Sequence, residues 1–229
     1  MIDNKNQPGE SHLSDLSKIT RGAGITLGGS IGGKGLLFLY TVFLAKVLGP
    51  SDLGLYFLGI TIIGFLTVLS TLGMDAGVIR FVAIYNGKND LSRTKGTILI
   101  SAALTLVPSL IMVSIIFLVG DLIAIYIFHK PELGSVIKLL SLAIPFDSLM
   151  RIFLAATRGF KLMEYSVYTE NLAWVGIRFL FALFFLYGLG MGLEGIVFAY
   201  VASSVASMVI AFCFVNRLIP LLGKKRCPY

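Results

Sequence analysis

Six apolar runs of roughly membrane-spanning length, separated by short polar and turn-rich clusters, constrain this chain more than any other feature. A helix needs about 20 residues to cross the ~30 Å hydrocarbon layer of a bilayer. The runs lie near residues 25–48, 53–72, 97–119, 136–156, 171–189 and 195–215. Between them stand turn formers: Gly49, Pro50, Ser51 and Asp52, then Asn86 to Asp90, then His129 to Glu132, then a glycine-rich stretch at 188–192. Apolar residues make up 56% of the chain and charged residues 14%, against about 25% charged in an ordinary soluble domain. That balance excludes soluble enzyme folds and predicts an all-α, polytopic membrane protein with a six-helix bundle.

The formal net charge of +7 does not point to nucleic acid, because the basic residues are dispersed among short loops instead of gathered on one solvated face. Their distribution bears on orientation instead, since Lys and Arg are retained on the cytoplasmic side. Counting the N-terminal tail and alternate loops as one side places 14 of them there, from Lys5 to Arg226, and only Lys46 and Lys130 opposite. Lys34, Lys138 and Arg178 fall inside runs. The expected arrangement is a polar cytosolic tail at 1–21, a membrane bundle at 22–218 and a basic cytosolic tail at 219–229, multi-pass in the plasma membrane with both termini cytoplasmic. The first 21 residues lack the apolar stretch and cleavage site of a signal peptide. Lys224, Lys225 and Arg226 can touch anionic lipid headgroups.

Lys34, Asp147 and Arg178 lie deep within the first, fourth and fifth runs. A charge at the bilayer centre costs roughly 3 kcal/mol or more, so each should face protein or a water-filled cavity. Asn171, Trp174 and Arg178 recur at helical spacing and share one face. An amide, an indole and a guanidinium on one stripe can hydrogen-bond hydroxyls, stack on a sugar and fork onto a phosphate. The structural alternatives are that Trp174 belongs to an interfacial belt, that Lys34 or Arg178 snorkels, and that Asp147 pairs with Arg151 at i,i+4. Asp147 is also the one acid placed to exchange an ion. Lys138, nearer a run's end, is expected to snorkel, and Pro108 and Pro145 to kink the third and fourth runs.

Gly24, Gly28 and Gly32, with Gly29 and Gly33 beside them, form a ridge without side chains that lets another backbone approach. Gly28 to Lys34 also fits GxxxxGK, but Gly35 stands where a P-loop needs Ser or Thr, and no strand precedes it. His12 and His129 are isolated, Cys213 and Cys227 lack metal-site spacing, and neither HExxH nor GxSxG occurs. The chain is therefore expected to be no enzyme, and to hold no metal and no cofactor.

The stretch Lys34 to Phe38 leading to Ala45 to Tyr56, then Leu72 to Val82, then Arg158, Gly159 and Phe160, and finally Gly192 to Gly195, resembles the polysaccharide transporter branch of the multidrug/oligosaccharidyl-lipid/polysaccharide exporters. That branch includes O-antigen flippases. The resemblance implies two six-helix lobes around a central cavity, often lined by basic residues, that move a polyprenyl-pyrophosphate-linked oligosaccharide between leaflets. It extends a cationic, substrate-binding role to Lys34 and Arg178 alone; Trp174 and Asn171, by their place on the Arg178 stripe, are expected to meet the sugars.

The resemblance covers one lobe, and alternating access needs one bundle to rock against another. A second lobe is expected as a partner, from a longer or split protein or from a second copy, besides the lipid-linked saccharide and membrane lipids. A cation-coupled exporter of small amphiphiles working through Asp147, and a non-transporting scaffold for glycan-synthesis enzymes, are the competing expectations.

Overall fold

The computed structural model describes residues 8–160, 169 and 173–219, with side chains described from residue 28 onward. Every regular element among these residues is helical: α1 (Pro8–Thr71), α2 (Met74–Gly87), α3 (Leu91–Leu122), α4 (Glu132–Ser141), α5 (Ile144–Gly159), α6 (Trp174–Leu183) and α7 (Leu193–Leu218). Wider helical turns extend α3 through Ile123–Ile127 and α6 through Phe184–Gly188. Hydrocarbon leaves no water for backbone groups, so the helix, which satisfies them within itself, is the form these runs can take. Ser and Thr hydroxyls follow the same rule and turn back onto carbonyls three or four residues earlier, as at Thr67, Thr94, Ser109, Thr157 and Ser203.

Gly28–Thr71, Leu91–Ile127 and Leu193–Leu218 are long and apolar enough to span a membrane, and α4 with α5 makes a fourth candidate bent by 40°. Trp174–Gly188 is apolar but shorter. The chain is an all-α, polytopic membrane protein. The 44 residues of the first stretch would reach about 66 Å if straight, twice the bilayer core. They fold back at Gly49, whose φ of 74° and ψ of 173° belong to a region open essentially to glycine alone. Pro50 then opens the second arm, where its missing N–H removes no helical hydrogen bond. The fold-back is measured by Tyr40 and Tyr56: 16 residues apart, about 24 Å along a straight helix, their hydroxyls meet at 3.1 Å.

Other breaks also follow local chemistry. Leu72 and Gly73, both at positive φ, separate α1 from α2. The helical backbone thus continues to Gly87, well past the expected end of the second run. Asp90 caps α3 by accepting from the Arg93 N–H at 3.0 Å. Pro145 sits in the first turn of α5 and marks the break in the fourth run, whereas α3 runs on past Pro108 without interruption. The expected N-terminal tail is helical from Pro8.

Two apolar clusters fill the bundle. One gathers Leu44, Leu55, Ile137, Leu140, Ile144 and Ile196, and the other Val82, Ile98, Ile152, Leu154, Ala211 and Val215. On four separate helical segments, buried polar residues lie in sequence between members of the two clusters: Thr67 and Ser70 in α1, Ser101 and Thr105 in α3, Asp147 and Ser148 in α5, Ser203, Ser204 and Ser207 in α7. A polar belt therefore crosses the interior between two greasy ends. The Ser70 and Ser148 hydroxyls join across it at 2.7 Å.

Candidate functional site

Among the described residues, the belt carries one cation, Arg178, and one acid, Asp147. α6 presents Trp174 and Arg178 one helical turn apart, and α7 presents Tyr200 opposite them. The Arg178 guanidinium carbon lies 3.9 Å from the centre of the Trp174 ring and 4.1 Å from that of Tyr200. The two rings are 6.1 Å apart, inclined at 73°. Such contacts draw on the negative faces of aromatic rings and strengthen when water is excluded. Only 3% of Arg178 is exposed. The two arms of α1 complete the enclosure with the joined Tyr40 and Tyr56 hydroxyls, the latter beside the guanidinium. Phe179 packs edge-on against Tyr40 and Phe43, which fixes α6 on the first arm.

Asp147 comes from the first turn of α5, a helix that begins inside the lobe because the fourth run breaks at Leu142 and Ala143. The positive end of the helix dipole there favours a negative charge. The carboxylate is 5% exposed and its Oδ2 accepts from the Tyr200 hydroxyl at 3.1 Å. Asp147 Oδ1, Arg178 Nε and Nη2, Trp174 Nε1 and the Ser204 and Ser207 hydroxyls find no hydrogen-bond partner among the described residues. Buried polar atoms are normally paired, so this concentration sets the belt apart from the apolar clusters.

The residues expected at a site do not all meet. Trp174 and Arg178 do, and Tyr200 links them to Asp147. Arg151 is exposed, and no ion pair joins it to Asp147; the described ion pairs are Arg93–Asp90 and Lys138–Asp121. Lys138 binds Asp121 instead of reaching for a headgroup. Lys34 is exposed on the first arm of α1, with no ion pair or hydrogen bond among the described residues and no contact with the Arg178 cage. Nothing approaches within 4 Å of where a Cβ would stand on Gly28, Gly32 or Gly35, so this chain leaves its own glycine ridge uncovered. Asn171 lies outside the described residues.

A family-wide sequence profile described as "Polysaccharide biosynthesis protein" matches residues 19–226. The chain belongs to the polysaccharide biosynthesis protein family. Within reach of this family member is an uncharacterised membrane protein of Methanocaldococcus jannaschii, 24% identical, with the match covering 83% of this chain and 40% of that one. A crystal structure of MATE in the bent conformation superposes with a TM-score of 0.76 at 16% identity, over 96% of this chain and 49% of that one. MATE in the straight conformation gives 0.73 at 18% identity, over 84% and 44%. The likeness shows a shared fold. This family member thus spans about half the length of the proteins it matches.

Tyr40, Tyr56, Tyr200 and the buried belt hydroxyls, Ser204 and Ser207 among them, escaped sequence reasoning. A signal existed for those on α7. Tyr200, Ser203, Ser204 and Ser207 recur at helical spacing within an otherwise apolar run, a stripe that belongs inside a bundle. Tyr40 and Tyr56 flank the Gly49 corner, but only the fold-back brings them together.

Proposed function

We propose that the chain is one lobe of a flippase that moves a polyprenyl-pyrophosphate-linked oligosaccharide across the membrane for cell-surface polysaccharide synthesis. The observation that carries this reading is an arginine held in the interior of a membrane lobe with Nε and Nη2 unfilled, in a chain of the polysaccharide biosynthesis protein family. A guanidinium recognises phosphate by parallel, charge-assisted hydrogen bonds, and those two nitrogens are the ones such a fork uses. In the present conformation the rings of Trp174 and Tyr200 close over it, so binding requires these lids to part. Lys34, already exposed, serves as the outer cation that draws the headgroup toward the lobe, and Trp174 and Asn171 meet sugars.

Six spans are proposed, with the two arms of α1 counted separately and α1's second arm continued by α2. Both termini are placed in the cytoplasm and the bundle in the plasma membrane. A second six-helix lobe, from another chain or a second copy, supplies the facing wall of the cavity. The domain division at residues 22–218 follows the same reading, as does the absence of an enzymatic activity. The test is flipping of a fluorescent lipid-linked oligosaccharide in proteoliposomes that hold both lobes. Arg178→Ala should reduce the rate at least tenfold and Lys34→Ala several-fold, with insertion unchanged; an Arg178→Ala protein that flips as fast as wild type removes the assignment.

A second reading, cation-coupled export of small amphiphiles, draws on the MATE-like fold and on the buried Asp147. Ion-driven efflux abolished by Asp147→Asn and spared by Arg178→Ala would favour it over the first.

A further inference from the structure

The cage around Arg178 restrains a cation without saturating it. Ring faces hold the guanidinium through contacts that have little directionality. No carboxylate oxygen lies within 4 Å of it among the described residues, and Nε and Nη2 remain unfilled. Asp147 acts on it through space, but spends its Oδ2 on Tyr200 and leaves Oδ1 without a formed hydrogen bond, with the Ser204 hydroxyl of α7 beside the carboxylate. Each charge compensates the other while keeping a hydrogen-bonding atom in reserve. Against this, a phosphate forking onto Nε and Nη2 would form two charge-assisted hydrogen bonds, which are directional and stronger than the ring contacts. The resting arrangement is therefore the weaker of the two.

An entering phosphate raises a second problem. One guanidinium cannot neutralise two anions in a site as closed to solvent as this one. A buried carboxylate stripped of its cation is strongly destabilising. A proton on Asp147 removes that penalty, and Oδ1 is the atom free to take it. The charged and titratable groups facing Asp147 among the described residues are Arg178 from α6, Tyr200 from α7 and, on its own helix, Arg151. α1 directs Tyr40 and Tyr56 at Arg178, and among the described residues α2 and α3 bring no titratable side chain to the carboxylate.

We propose that a lipid-borne phosphate and Asp147 compete for the Arg178 guanidinium, with Asp147 taking one proton from water as the phosphate binds and returning it as the phosphate leaves. The proposal rests on the reading of Arg178 as an anion site. The proton adds to the open carboxylate oxygen, and no bond of the lipid is made or broken. The consequence has a definite sign: anion binding takes up a proton, so it tightens as pH falls, by up to about tenfold per pH unit while Asp147 is ionised in the free protein.

The experiment uses the full chain in phosphatidylcholine nanodiscs, with farnesyl pyrophosphate as probe. Affinity is measured across pH, and proton uptake in weak buffer with an indicator dye. Wild type should tighten its binding toward low pH and take up about one proton per bound probe beyond the probe's own titration. In Asp147→Asn the probe should bind at high pH as tightly as wild type does at low pH, with that extra proton gone. If Arg178→Ala abolishes binding but Asp147→Asn keeps the wild-type pH response and uptake, the competition is wrong and the anion site stands. If Arg178→Ala binds the probe like wild type, the anion site itself falls. Should Asp147→Asn not fold, as judged by gel filtration, wild-type uptake decides alone, and its absence overturns the proposal. Nanodiscs containing phosphatidylglycerol separate the sources of the phosphate: displacement of the probe assigns the site to bulk lipid headgroups, and undisturbed binding assigns it to the isoprenyl pyrophosphate.

Discussion

Lys34 and Arg178 sit in similar sequence surroundings, each well inside an apolar run, and meet opposite fates. Arg178 is enclosed by aromatic rings, hydroxyls and an internal acid at the crossing of α1, α5, α6 and α7. Lys34 stands on an open face of α1 beside uncovered glycines and exposed Ile31 and Phe38. Depth in a membrane and enclosure by protein are thus separate properties. A run of apolar residues reports the first, whereas the second depends on which side of the helix the neighbours occupy.

The contrast is sharpest where removal hurts most. Arg178→Ala leaves Asp147 without its cation and two rings facing a void, and should destabilise the lobe by about 3–5 kcal/mol, read as a lowered Tm in detergent. Arg178→Lys keeps the charge but loses the flat group that both rings cover, so its Tm should fall between the two. A packing control comes next. A side chain at Gly159 would place its Cβ 2.8 Å from Val82, and Gly159→Val should cost about 1–3 kcal/mol through overpacking while leaving the Arg178 cage intact.

At the half-exposed rim, Lys138→Ala breaks the bond to Asp121 and should change stability by about 0–1 kcal/mol. Smallest of all, Lys34→Ala should stay within about 0.5 kcal/mol of wild type. A Tm loss there as large as that of Arg178→Ala would erase the distinction. Labelling of Lys34→Cys by a membrane-impermeant maleimide sharpens it: reaction places position 34 beside water, and silence places it against acyl chains.

Much of the fold could be read from residue order. The apolar runs, the Gly49–Pro50 corner, the Asp90 cap and the break at Pro145 all follow from local rules that act within a few residues. Pro108 shows where those rules stop, since the same residue type lies inside an uninterrupted α3. The pairing of Asp147 illustrates a second limit. Arg151 lies one turn along the same side of the helix, yet it is exposed, whereas Asp147 is buried and accepts at Oδ2 from the Tyr200 hydroxyl of α7. Of the candidate site, Trp174 and Arg178 were legible through their helical spacing. The Tyr40 and Tyr56 contribution was not, since it depends on a fold-back set by one glycine and on a helix more than a hundred residues later.

That glycine has a consequence for biogenesis. The two arms of α1 leave the ribosome long before α6, so their corner can close as a helical hairpin while the remaining runs are still being made. When α6 arrives, its arginine meets a ready pair of phenol groups and need not linger as a bare charge among lipid tails. Gly49→Val, which bars the backbone from that corner, should therefore show its damage first as defective insertion of a helix that the substitution never touches.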